Sequence, residues 1–354
     1  MLHKYLNLLL VAWLPIIIAC RPKSATPLRV QWLSMGTTAA IQCAHHKMSD
    51  NARQLTAAIF EYHENEFSVW QTNSALSWIN HTAGQGKPLA ITPLFNELLT
   101  NTLEICRRSD GAFNPLIGPV MQAWGFNGAS PKSTVPNQTI LTELAPLIDW
   151  RAIILNHQAT PATLYLPKSG MLLDMGAIAK GYAVDAAWTS LQAAGYTNIL
   201  IDLGGNLRAL GEAAPKSHGW RTGVRNPFDK QMLIARFLLR DGEAVATSGN
   251  YERFVDIHGT RYAHILDPRT LTPVSGVASV TVTAPNATLA DALSTTLFVL
   301  GPERGARLLN HYPACEALWI PDTPDNLTII ATGKIADRLN PIKSIHYKLT
   351  VITL

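Results

Sequence analysis

The spacing of apolar positions along the chain sorts strands from helices. Residues 29–43 (RVQWLSMGTTAAIQC) read as a strand broken by a Gly turn. Residues 50–66 and 93–108 carry helical spacing, and the second helix opens with Thr92-Pro93, an N-cap followed by Pro at the first helical position. From residue 151 onward, β-like runs alternate with single helices. The runs are 153–156, 163–166 and 171–174, then 199–203, 220–224, 232–239, 243–247, 253–257 and 277–284. Helices are predicted near 178–194 and over 288–300 and 303–310. Residues 128–138 (GASPKSTVPNQ) form a Pro/Ser loop, the best candidate linker or insertion. This order predicts an α+β fold of mixed, largely antiparallel sheets with flanking helices.

The N-terminus departs from this alternation. Lys4 precedes an apolar stretch from Leu6 to Ile18, the pattern of a secretory signal. The stretch ends Ile17-Ile18-Ala19-Cys20, which resembles a bacterial lipobox, with Cys20 acylated as the first mature residue. An ordinary signal peptide and an uncleaved anchor helix are the alternatives. The expected organisation is a signal peptide over 1–19, a lipidated tether over 20–28, one domain over 29–340 and a C-terminal tail over 341–354. The remaining thiols, Cys43, Cys106 and Cys315, are odd in number and sit in strand-like or helix-like runs, so they read as buried free thiols.

Composition narrows the class. The 354 residues are 47% hydrophobic and 15% charged, which excludes a disordered chain. A net charge of +4 without any Lys/Arg-rich run argues against a nucleic-acid partner. Beyond the N-terminus no apolar stretch reaches bilayer length.

Four segments pack Gly beside polar residues: Met35–Thr38, Asp110–Pro115, Asp174–Gly181 and Leu203–Asn206. Gly at such places permits positive φ or close approach to a ligand. Neither a Rossmann Gly-x-Gly-x-x-Gly nor a Walker A loop occurs. After Asp174 a Gly-containing turn opens a helix whose apolar stripe is Val184, Ala187, Trp188 and Leu191, and Gly195 ends it. Its N-terminus suits a phosphate or ribose, although a plain connection has the same pattern. On the 288–300 helix, Leu289, Leu293 and Leu297 mark a buried stripe, while Asp291 and Thr295 share another face. That pair could hold a hard cation, or be a solvated helix face. Residues 251–254 and 261–268 read as a hairpin turning at Asp256 to Gly259, and alternation puts His264 on one face with Tyr262 and Leu266. His264 is either structural or a general base. No Ser-His-Asp order or nucleophile elbow is present.

Taken together, the motifs resemble one family, the ApbE flavin transferases of bacterial envelopes, over about residues 33–320. They are Met35-Gly36-Thr37; Asp110–Pro115 with Gly118-Pro119 and Trp124-Gly125-Phe126; Asp174–Gly181 with Tyr182–Asp185; Gly204-Gly205-Asn206; Ala246–Gly249; His264–Pro268; and Ala290–Thr295. The resemblance implies an ApbE-like fold and an enzyme that uses Mg²⁺ to split FAD. Its FMN half would pass to a Thr or Ser hydroxyl of an acceptor protein, with release of AMP. It further implies that Met35, Trp70, Ala112, Phe113, Asn114, Asp174, Lys180 and Ile265 line the FAD site. Asp291, Thr295 and the Ala177 carbonyl would hold the metal, and His264 would accept a proton near the scissile phosphate. Two positions depart from the family pattern. Asn114 stands where many relatives carry Asp, and Leu116 where they often carry Thr. An FAD pyrophosphatase and a non-catalytic FAD-binding lipoprotein are the alternatives. The expected location is the periplasmic face of the inner membrane, with a membrane electron-transfer subunit as acceptor.

Overall fold

Nine strands build one sheet whose spatial order follows chain order: Leu28–Ser34, Thr37–Cys43, Ile199–Leu203, Asn206–Leu210, Ala244–Gly249, Val277–Ala284, Glu316–Pro321, Thr328–Thr332 and Lys348–Ile352. The computed structural model describes residues 27–44, 49–127, 134–229 and 231–354. The expected signal peptide, Cys20 and residues 128–133 of the Pro/Ser loop lie outside the described residues. Neighbouring strands of the sheet are antiparallel, except that Thr328–Thr332 and Lys348–Ile352 run parallel.

Both faces of the sheet are covered, because alternate residues along each strand enter different cores. Ile199, Ile201, Val280, Val282, Ala317 and Trp319 face the helices Ser49–Phe67, Ala179–Ala193 and Ala287–Leu309. Leu200, Val245, Leu318 and Ile320 face the other way, against Trp220, Ile234 and Phe237 of a small antiparallel sheet. A third core gathers the helix Pro93–Arg108, the segments around Phe113–Trp124 and a three-stranded sheet of Leu89–Ala90, Thr163–Tyr165 and Ile154–Asn156.

The seam between the first and third cores is closely interlocked. Ala112, Ala183, Ile265 and Leu293 belong to the first core. Their chain neighbours Phe113, Tyr182, Leu266 and Ala292 belong to the third.

The fold is α+β and largely antiparallel, as the sequence implies. Thr92 caps Pro93–Arg108 by accepting from the Phe95 N–H at 3.0 Å. Ala287–Leu309 runs as two helical pieces broken at Gly301 (φ 71°), with Pro302 just beyond. Two expectations need correction. Residues 171–174 form no strand. Leu173 gives its N–H and C=O to the Asn80 side chain, and the Asp174 N–H goes to Pro115 O, so no ladder partner is engaged. Residues 341–354 are not a free tail, since Lys348–Ile352 closes one edge of the main sheet. Cys43, Cys106 and Cys315 are free and buried, as expected.

Candidate active site

A cleft of about 680 Å³ opens along the interlocked seam. All twelve residues that the resemblance assigns to FAD, metal or proton transfer line it: Met35, Trp70, Ala112, Phe113, Asn114, Asp174, Ala177, Lys180, His264, Ile265, Asp291 and Thr295. Cys20 lies outside the described residues. Six separate chain segments deliver these twelve residues. The Met35–Gly36 hairpin turn is one, and Met35 holds φ at 48° there while its N–H donates to Glu64 Oε2 at 3.1 Å. That bond helps offset the strain of a non-Gly residue in the left-handed region.

The Asp110–Pro115 motif divides its labour. Asp110 is solvent-exposed at the end of the preceding helix, and only residues 112–114 reach the cleft. Asn114 is committed locally: Oδ1 accepts from the Leu116 N–H at 2.9 Å and Nδ2 donates to Ile148 O at 2.8 Å. An Asp could not make the second bond, so Asn114 here fits a capping position that needs a donor as well as an acceptor. Asp174 makes a similar turn. Its Oδ1 accepts from Gly176 N–H at 2.8 Å and its Oδ2 from Asn127 Nδ2 at 2.7 Å.

Asp291 is the chief departure from a helical-wheel reading. A solvated face is excluded, because the residue is 5% exposed and packs where two helices meet. Its Oδ2 accepts from the Gly181 N–H at 3.0 Å and lies 3.6 Å from Lys180 Nζ. Gly181 permits this approach, since a Cβ there would sit 2.2 Å from Ala287 O. Burial pushes the Asp291 carboxyl above its usual range, while Lys180 and the Gly181 N–H act in the opposite sense. Both partners engage Oδ2, leaving Oδ1 for a ligand. Among the described residues no three His, Cys, Asp or Glu side chains cluster as a metal site. A cation here would therefore bind one carboxylate plus hydroxyl and carbonyl oxygens. Such donors suit Mg²⁺, which commonly keeps water and substrate phosphate in its remaining positions.

His264 lines the same cleft. The strand Thr260–Ala263 ends one residue before it, so hydrogen bonds rather than strand alternation orient the ring. Nδ1 lies 3.1 Å from Arg253 O. A carbonyl only accepts, so Nδ1 carries the proton and Nε2 keeps its lone pair. Burial first, then the Arg253 charge, lowers the His264 pKa to about 4. The ring is neutral at pH 7 and can accept a proton.

Two residues lining the cleft were given no role by the sequence reading. Arg253 sits 5.4 Å from the Trp70 ring centre and donates to Phe126 O at 2.7 Å. Ser248 lines the cleft beside Thr295. A hydroxyl within the largely buried run Ala244–Gly249 was the signal available for Ser248. For Arg253, which the alternation leaves on an exposed hairpin, there was none.

A family model, the ApbE family, matches residues 35–319. A Treponema pallidum protein named FAD:protein FMN transferase is 36% identical over 294 residues, 79% of each chain. A Klebsiella pneumoniae protein of the same name is 33% identical, over 84% of this chain and 91% of its own. A third, from Rhodobacter capsulatus, is 32% identical over 83% of this chain, and that match spans only 54% of its own length. Among solved structures, the flavin transferase ApbE from Vibrio cholerae superposes with a TM-score of 0.77 at 25% identity, covering 88% of this chain and 99% of that one. The ApbE protein from Thermotoga maritima gives 0.75 at 28% identity, covering 84% and 94%.

Proposed function

The chain belongs to the ApbE family, and from that premise we propose that it transfers the FMN half of FAD to a Thr or Ser hydroxyl of an acceptor protein. The observation that carries this reading is the convergence of all twelve site residues on one cleft. In the reaction, the acceptor oxygen bonds to the phosphorus of the FMN half. The bond from that phosphorus to the bridging oxygen breaks, and AMP leaves with the oxygen. The hydroxyl proton passes to His264 Nε2, which is free to take it. Trp70, Phe113 and Met35 offer the flavin apolar faces. Lys180 places a cation beside the phosphates and Asp291. Asp291, Thr295 and the Ala177 carbonyl are the proposed Mg²⁺ ligands, and a bound Mg²⁺ would offset charge growing on the pyrophosphate oxygens.

The lipobox pattern supports an acylated Cys20 and a lipid anchor at the cell envelope, and the family resemblance is what favours the periplasmic face of the inner membrane. The acceptor is then a membrane electron-transfer subunit. The test uses the purified protein, FAD, Mg²⁺ and such a subunit prepared without its flavin. In-gel fluorescence should mark the acceptor, and Asp291→Asn should abolish the band. Free FMN without a labelled band would point to hydrolysis, and unchanged FAD to a binding protein.

A further inference from the structure

Three hydroxyls beside Asp291 form a chain whose direction can be counted. Ser294 Oγ lies 2.8 Å from Asp291 O and donates to it, since a carbonyl cannot donate. Ser248 Oγ lies 2.8 Å from Ser294 Oγ and 3.1 Å from Thr295 Oγ1. Each hydroxyl has one proton. The Ser294 proton is committed to the carbonyl, so Ser248 donates to Ser294. Having spent its own proton, Ser248 can only accept from Thr295. The order is Thr295 to Ser248 to Ser294 to Asp291 O. Thr295 therefore turns its proton away and keeps its lone pairs for another partner.

We propose that Ser248 is a positioning residue that fixes the Thr295 hydroxyl as a lone-pair donor to a divalent cation rather than as a hydrogen-bond donor to phosphate. This rests on the Mg²⁺ reading of the Asp291 site and deepens it. The chain also begins and ends on that site: it leaves from Thr295 and closes on the backbone of Asp291. A serine from a strand thus ties together two ligands that stand one helical turn apart. Without Ser248 the Thr295 proton has no assigned acceptor and can rotate into the cleft, where it opposes a cation.

The test titrates Mg²⁺ calorimetrically into protein saturated with FAD, without acceptor. Mn²⁺ electron paramagnetic resonance gives a second readout. Ser248→Ala should weaken Mg²⁺ binding by roughly 10–100-fold, the range seen when an outer hydrogen-bond partner of a ligand is removed. FAD affinity in EDTA should stay at the wild-type value, and Ser248→Thr should restore metal binding. Thr295→Val should match Ser248→Ala, and the double variant should be no weaker than Thr295→Val alone. Wild-type Mg²⁺ affinity in Ser248→Ala overturns the proposal, as does a double variant whose losses simply add. A wild-type protein that binds FAD but takes up no Mg²⁺ overturns the metal reading beneath it as well.

Discussion

Gly181→Ala separates stability from function more sharply than other single changes at this site. On helix propensity alone the variant should gain about 1 kcal/mol. Packing opposes it. The new Cβ would lie 2.2 Å from Ala287 O and 2.8 Å from Asp291 Cβ, both on a neighbouring helix. Ordinary contact begins near 3.4 Å, so the helices must part by about 1.2 Å. Overpacking of this kind costs about 1–3 kcal/mol, leaving a net loss of up to about 2 kcal/mol. The Tm should fall by only a few degrees. The site suffers more, because the 3.0 Å bond from the Gly181 N–H to Asp291 would stretch to about 4 Å, past hydrogen-bond range. Misplacement of about 1 Å can cost about 100-fold in rate. The assay is the initial rate of acceptor labelling with FAD and Mg²⁺, beside a thermal melt. Gly333→Ala is the control: no atom lies within 4 Å of its added Cβ, and it should behave as wild type. A Gly181→Ala protein with wild-type rate and Tm would refute the close-packing argument.

His264 sets the acid limb of the pH profile. A base must be unprotonated, so kcat/KM should hold as pH falls from 7 and decline only toward about 4, and loss of activity centred near 6.5 would contradict the burial of the ring. Asp185 accepts from Ala287 N–H, Thr288 N–H and Arg208, each at 2.8 Å, so Asp185→Ala removes a helix cap and an ion-pair partner together. It should lower stability by about 3 kcal/mol in denaturant titration, and a change under 1 kcal/mol would show that the network is idle. Trp70 is 57% exposed, so Trp70→Ala should leave the Tm unchanged while raising KM for FAD about fivefold, through loss of about 1 kcal/mol of ring stacking. Cys20→Ser should move the protein from the membrane to the soluble fraction, and continued sedimentation with membranes would favour an anchor helix.

The helices and their ends were legible because their signals are local. Thr92-Pro93 and Gly195 each act within one turn, and the structure places the ends of their helices at Pro93 and Ala193. Strands were less so. Glu316–Pro321 is almost wholly buried on both faces and therefore lacks alternation, and Lys348–Ile352 is a short, mostly exposed edge. The burial of Asp291 was hidden for a different reason. Periodicity found the stripe that faces the sheet, but the second neighbour is a helix more than 100 residues earlier, admitted by a single glycine. The hydroxyl chain through Ser248 was equally invisible, since it exists only once strand and helix are side by side.

The interlocked seam bears on how a dinucleotide can enter. At four places adjacent residues are rooted in different cores, so prying these two cores apart would tear apolar side chains out of both at once. Hinged jaws are a poor description of such a body. Passage falls instead to the rim, where the exposed Trp70 ring can swing aside without disturbing either core, while Arg253 beside it is tied to Phe126 O. The floor stays set before the guest arrives, and selectivity at the doorway can change through Trp70 without rebuilding the chemistry beneath, whereas Arg253 also sets the proton affinity of His264.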